Sequence, residues 1–252
     1  MKHNFLLSII TVVFNGEKYI EQTIKNVVDL KFNEYEYIII DGGSSDDTLS
    51  IINKYKPHIN KVISEPDSGI YNAMNKGLNL STGKYILYLN SDDFLEEGSI
   101  EKAVEIIKDN ANFDIYAGAV KILNKNQSLS RIMRPSSKKI SYRMSIPHPG
   151  AFVSREAMLR VNGFDESFRI AADFDLFQRL LQKSSNRIMH LELIISNMRY
   201  GGVSTSNPLI GYSEQLRSIF KNTNLVIFPL VFLIFILSLI FGRLKNKFLY
   251  GN

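Results

Sequence analysis

Apolar positions along the chain follow two periods. Continuous runs of β-formers occur at Phe5–Phe14, Tyr35–Ile40, Lys61–Ser64 and Tyr85–Leu89. Such runs, ended by Asn, Gly, Ser or Asp, predict buried strands of a parallel sheet. Between them the period lengthens. Ile20, Ile24, Val27 and Val28 share one helical face, Leu49, Ile51, Ile52 and Tyr55 mark a second helix, and Ile70, Met74 and Leu78 a third. Strands alternating with helices predict βαβ units and an α/β fold with a mainly parallel sheet. In such a sheet the ligand crevice opens beyond the carboxyl ends of the strands. Asn15, Asp41 and Asp92 all fall at such ends, so one crevice collects them.

The pattern changes after Leu95. A helix is predicted from Ser99 to Lys108. Asp114–Leu123 and Leu129–Met133, across Asn124–Gln127, predict a hairpin or a mixed-sheet extension. Ser136–Pro147 is a polar, basic connection. His148–Ser154 predicts a short strand, Arg155–Val161 a short helix ended by Asn162-Gly163, and Asp173–Lys183 a helix with Phe174, Phe177 and Leu181 inward. Ile188–Tyr200 is a further strand region, closed by Gly201-Gly202. Phe5–Phe14 imitates the core of a secretory signal, but its β-branched residues and the absence of a small-x-small site favour a strand.

Length and charge add a second region. The 252 residues, 45% apolar, suffice for one large domain with an appendage. No cysteine is present, which excludes disulfides and thiolate metal sites. Of the net charge of +5, the stretch from Tyr212 onward holds +4, from Arg217, Lys221, Arg243, Lys245 and Lys247 against Glu214. A near-neutral body argues against nucleic-acid binding, and a basic tail points to an anionic membrane surface. Leu225–Gly242 is 18 residues without charge, near the lower limit for crossing a bilayer. We therefore expect a domain over residues 1–205 and a membrane-associating tail over 206–252, spanning or re-entrant. Pro229, and the cations that follow the segment, make a short re-entrant or tilted segment an alternative to a crossing one.

The chemistry centres on Asn90-Ser91-Asp92-Asp93. Adjacent carboxylates beside a buried strand are costly unless neutralised. A hard divalent cation would neutralise them; alternatively, Asp92 caps the helix that follows. Neither a GxGxxG nor a P-loop motif is present. Four motifs then recur in order: Ser8–Gly16, Ile40-Asp-Gly-Gly-Ser-Ser-Asp-Asp-Thr48, Asn90-Ser-Asp92 and Ala172-Asp173. Together they resemble the family 2 glycosyltransferases of GT-A fold, over roughly residues 5–205. Glu65–Gly77 resembles the subgroup that builds bacterial capsule, O-antigen and exopolysaccharide chains.

The resemblance implies inverting transfer of a sugar from a nucleotide-diphosphate donor to a hydroxyl of a glycan, lipid-linked if the tail meets a membrane, at its cytoplasmic face. It implies that Phe14, Asp41 and Lys76 hold the nucleotide, with Asn15 and Ser91 on the same edge. It makes Asp92 the ligand of Mn²⁺ or Mg²⁺ and Asp173 the general base. Two positions depart from the family: Gly42 stands where a second Asp is common, and Asn90 replaces the first Asp of the Asp-x-Asp metal motif. Asn90 can still hydrogen-bond a ribose or a phosphate-bound water.

Several assignments stay open. Asp173 could be an N-cap instead of a base. Lys76 could be a solvated lysine. His148 could contact acceptor or phosphate, or be a buried histidine satisfied by backbone. Asp175 is expected to pair with Arg179 at i, i+4. Transfer to polyprenyl phosphate, which needs no strong base, and a non-catalytic nucleotide-sugar-binding assembly subunit are the competing functions.

Overall fold

A computed structural model describes residues 5–183, 187–201, 207–224, 226–237 and 239. The first half is the predicted alternation. Strands β1 (Leu7–Val13), β2 (Tyr35–Asp41), β3 (Lys61–Ser64) and β4 (Tyr85–Tyr88) alternate with helices α1 (Ile20–Val28), α2 (Thr48–Lys54) and α3 (Ile70–Leu80). β2 and β4 flank β1 in parallel, and β3 pairs in parallel with β2. All seven residues of β1 are buried. Ile10 and Val12 enter one core and Leu7, Ile9 and Val13 the other, as the two-residue period requires. One core is closed by α3, α5 (Arg155–Arg160) and α6 (Ala172–Lys183), the other by α1, α2 and α4 (Ser99–Asp109).

The second half makes the sheet mixed. β5 (Phe94–Leu95), β6 (Ile115–Leu123), β7 (Leu129–Met133), β8 (Ala151–Ser154) and β9 (Ile188–Met198) complete the order β3-β2-β1-β4-β8-β6-β9-β5. β8 runs antiparallel to both β4 and β6, and β9 runs parallel to β6. β7 forms the predicted hairpin with β6, along the stretch Val120–Leu123. Two elements differ from expectation. β5 is two residues long, too short for any period to reveal, and exists by pairing with β9. The predicted strand from His148 starts later, because His148–Gly150 forms a 3₁₀ turn ahead of β8. The ion pair expected within α6 is present: Arg179 Nε lies 2.6 Å from fully buried Asp175, which also accepts from Asn222 at 2.8 Å.

The expected membrane segment is overturned. After α7 (Pro208–Asn222), residues 228–237 are helical, but among the described residues no helix is long and apolar enough to cross a membrane. Residues 225, 238 and 240–242 of the expected segment lie outside the described residues. One face of the segment has a protein partner, while Val226, Ile227, Leu230, Leu233 and Leu237 stay exposed. Val231 and Phe235 are buried in the same cluster as Ile219, Phe174 and Ile10, and Phe228 and Ile236 pack against it. An apolar run read for hydropathy alone does not distinguish lipid from a neighbouring helix. Phe235→Ala is therefore expected to cost about 3 kcal/mol of stability in denaturant unfolding, as for other buried aromatic truncations. Unchanged stability would mean that this helix does not share the core.

Candidate functional site

A cavity of about 860 Å³ opens at the carboxyl ends of β1 and β4. Phe14, Asn15, Asn90, Ser91, Asp92, His148 and Asp173 all line it. Seven of the nine residues assigned to the site from sequence thus come together. Asp41 and Lys76 are not among its lining residues.

The floor is built from turns that hold one another. Asp41 is fully buried at the end of β2 and accepts from the backbone N–H of Ser44 (3.1 Å) and from Ser64 Oγ (2.6 Å). It thereby fixes the Gly42–Ser45 turn. That turn holds the next: Asn15 N–H donates to Ser44 Oγ (2.8 Å), and Ser45 N–H to Asn15 Oδ1 (2.9 Å). Asn15 sits at φ 49°, a left-handed conformation that Asn tolerates better than most residues. Phe14, one residue earlier, is left 65% exposed at the cavity edge. Lys76 pairs with Glu65 at 2.8 Å and donates to the Pro66 carbonyl at 3.1 Å.

The acidic turn after β4 is clamped from two sides. From α1, Thr23 Oγ1 donates to the carbonyls of Ser91 and Asp93, both at 2.8 Å. From the end of β9, Arg199 N–H donates to Asp93 Oδ1 (3.1 Å). The Arg199 guanidinium donates to the Asp92 carbonyl, to Gln22 Oε1 (2.6 Å) and to Gln127 Oε1 (3.2 Å). It is buried, held over the rings of Tyr19 (4.6 Å) and Phe94 (4.7 Å). Burial, and then the charge of Asp92, push the Asp93 carboxyl up to about 8. Burial also raises Asp92, against the attraction of Arg199. Both carboxylates border the cavity, but Asp93 is fully buried and held by Asn90 Nδ2 (3.0 Å) and Arg199 N–H, while Asp92 is the more exposed of the two. Asp92 caps no helix; Gly98 stands at the N-cap of α4.

Two buried polar atoms on the cavity wall have no partner among the described residues, Asn90 Oδ1 and His148 Nε2. His148 packs against the rings of Tyr88 (5.2 Å) and Phe164 (5.9 Å). Burial lowers its pKa to about 4, so the imidazole is neutral. Backbone does not satisfy Nε2, which leaves that nitrogen for a ligand.

Asp173 lies in the first turn of α6, where its Oδ1 accepts from Phe174 N–H at 2.8 Å. Burial, and the charge of Glu214 to a lesser degree, push its carboxyl up to about 6. Glu214, on α7, accepts from three successive backbone N–H groups, those of Arg169 (2.8 Å), Ile170 (2.8 Å) and Ala171 (2.9 Å). It sets the loop that delivers Asp173. Sequence reading missed both Arg199 and Glu214. Arg199 had one usable signal, a cation ending an apolar strand region just before Gly201-Gly202. Glu214 had none, since a single carboxylate in a basic stretch reads as surface charge.

A central parallel sheet with antiparallel additions and an acidic turn after β4 defines a GT-A-like α/β fold, the architecture of nucleotide-sugar transferases. Residues 8–168 match the sequence model of glycosyl transferase family 2, and the chain belongs to that family. It is 25% identical over 207 residues to a PGL/p-HBAD biosynthesis glycosyltransferase of Mycobacterium bovis, covering 80% of each chain. It is 29% identical over 230 residues to the hyaluronan synthase of Pasteurella multocida, covering 87% of this chain and 23% of that one. Among solved structures, S. aureus TarS 1-349 in complex with UDP-GlcNAc superposes with a TM-score of 0.73 at 20% identity, over 98% of this chain and 76% of that one. Mannosyltransferase PcManGT from Pyrobaculum calidifontis, in complex with GDP-Man and Mn²⁺, superposes with a TM-score of 0.69 at 16% identity, over 98% and 76%.

Glu214→Ala would strand three backbone donors, and we expect it to cost about 2–4 kcal/mol of stability. Glu214→Gln keeps one carbonyl oxygen and is expected to lose less. Urea unfolding of the two variants checks this; an alanine variant as stable as the parent would mean the contact is idle.

Proposed function

We propose that the protein is an inverting glycosyltransferase that moves a sugar from a nucleotide-diphosphate donor to a hydroxyl of a glycan acceptor in surface-polysaccharide synthesis. One observation carries the reading: Asp92 and Asp173 open onto the same cavity, beside two buried polar atoms that have no protein partner. The resemblance of Glu65–Gly77 to polysaccharide-building enzymes supports the acceptor class.

Asp173 is the base. An acceptor hydroxyl attacks the anomeric carbon from the face opposite the diphosphate, and its proton passes to the Asp173 carboxylate. The bond from the anomeric carbon to the phosphate oxygen breaks, and its electron pair leaves with the diphosphate. A carboxyl raised by burial suits this role, because proton transfer is most effective when the pKa lies near the working pH. A phosphate acceptor would need no such base, so the hydroxyl acceptor is favoured over polyprenyl phosphate. Exposed Phe14 would stack on the nucleobase. Asp41 and Lys76 would act through the turns they hold, since both side chains are already engaged.

The residues fit a divalent cation in one mode. Among the described residues no group of three His, Cys, Asp or Glu could cage an ion. Mg²⁺ or Mn²⁺ with one carboxylate, water and substrate phosphates needs no cage. Asp92 would hold it, with Asn90 Oδ1 available to a coordinated water. Such an ion supplies positive charge to the departing diphosphate.

Two tests follow. Asp173→Asn keeps the shape and the Phe174 contact; transfer should fall by about 10²-fold or more with donor affinity unchanged. The ionised base is present above about pH 6 and lost below it, so kcat/KM should drop roughly tenfold per pH unit on the acid side. Wild-type transfer by the variant, or a flat acid limb, would return Asp173 to a capping role. Asp92→Asn should fold normally yet bind nucleoside diphosphate equally with and without Mn²⁺; a surviving Mn²⁺ dependence in calorimetry would remove Asp92 as the ligand.

A further inference from the structure

From Ile115 to Arg155 the chain carries eight cations and no carboxylate. Lys121 is neutralised by Glu96 at 2.7 Å. Arg131, Arg134, Lys138, Lys139 and Arg143 are exposed, and none of them meets a carboxylate among the described residues. Uncompensated charge of one sign on one stretch is unusual for a solvated surface, where both signs are normally interspersed.

The band borders the cavity. On the β6–β7 hairpin, Val120, Ile122 and Met133 line the cavity, so they mark the face turned toward it. Arg131 is two residues from Met133 on β7 and directly opposite Ile122 in the register. Side chains two apart on a strand share a face. Arg131 therefore stands on the cavity face, one step outside the rim. Arg134 and Arg143 are chain neighbours of the lining residues Met133 and Met144 and lie beside the rim, whereas Arg131 is the one that the strand register sets on the cavity face. In our reading the donor diphosphate sits at the acidic turn at the end of β4, which the tip of the same hairpin meets through Gln127 and Arg199.

We propose that this band is the acceptor-binding surface and that the acceptor is a glycan chain bearing phosphate or carboxylate groups. The proposal rests on the reading of the cavity as a transfer site. An in-line displacement brings the acceptor hydroxyl from the side away from the diphosphate. An acceptor reaching Asp173 past Met133 and Met144 would leave the rest of its chain along Arg131, Arg134 and Arg143. Arginine suits the task, since its planar fork pairs two N–H groups with a phosphate or carboxylate. The apolar rim formed by Met133, Met144 and Ile122 would admit the sugar face of the terminal unit, and the arginines would hold the anionic groups behind it. Exposed pairs of this kind are screened by salt over about 8–10 Å, so binding should weaken as ionic strength rises.

The test compares the full chain with Arg131→Glu/Arg143→Glu, and with Arg131→Gln/Arg143→Gln as the milder pair. The probes are a mannose oligomer, the same oligomer phosphorylated at its 6-positions, and vesicles of phosphatidylglycerol. Binding is followed by fluorescence anisotropy and vesicle sedimentation at 50 and 300 mM salt. UDP and GDP binding with Mn²⁺ is measured in parallel by calorimetry. We expect the phosphorylated oligomer to bind at least ten times more tightly than the neutral one at low salt. Charge reversal should remove most of that difference, high salt should reduce it, and nucleotide binding should be untouched. Equal binding of the two oligomers, or a preference that survives both variant pairs, would overturn the proposal. Binding to vesicles alone would make the band a lipid contact instead and would overturn it as well. Loss of nucleotide binding by the parent protein would tell against the transferase reading, independently of the oligomer result.

Discussion

Two neighbouring carboxylates at the end of a buried strand are the constraint around which this molecule is arranged. Left alone, Asp92 and Asp93 would repel each other in a poor solvent for charge, and the turn would open toward water. Three elements prevent that. Thr23 on α1 holds the turn's carbonyls, Asn90 and the Arg199 N–H hold one carboxylate, and the Arg199 guanidinium spreads positive charge beneath both. The guanidinium is itself kept in place by two rings and two glutamines. Asp93 absorbs the structural demand, and Asp92 is left the more exposed of the two at the cavity.

Much of the fold is legible in the amino-acid pattern because its central strands are buried on both faces. Such strands announce themselves as unbroken apolar runs, and β1, β2 and β4 are of that kind. Legibility falls where pairing is decided at a distance. Phe94–Leu95 is a strand only because Ser196 and Asn197 lie opposite. The bulged parallel pairing of β6 with β9 depends on contacts no local window contains. The apolar run after α7 misleads for a related reason: hydropathy reports that side chains avoid water without naming what covers them. Here Val231 and Phe235 are covered by the protein's own core.

The site divides along the same line. The strand ends alone point to Asn15, Asp41 and Asp92, and the family resemblance adds Phe14; the cavity lining takes in Asn15, Asp92 and Phe14. Asp41 stands at such an end too, yet it works inward, spending its oxygens on Ser44 and Ser64. Arg199 and Glu214 act on the site by holding backbone, an arrangement without a residue-type signature. Both roles depend on side chains reaching groups far away in the chain.

Those two long reaches bear on how the protein is made. Arg199 lies 107 residues after the turn it clamps, and Glu214 is later still. At a synthesis rate of about 5–20 residues per second, the acidic turn waits on the order of ten seconds for its arginine. During that interval β1 to β4 can form, but the paired carboxylates have no guanidinium beneath them and the loop before α6 has no anchor. The first strands can therefore pair well before the pocket is braced, and the bracing waits until Arg199 and then α7 have left the ribosome.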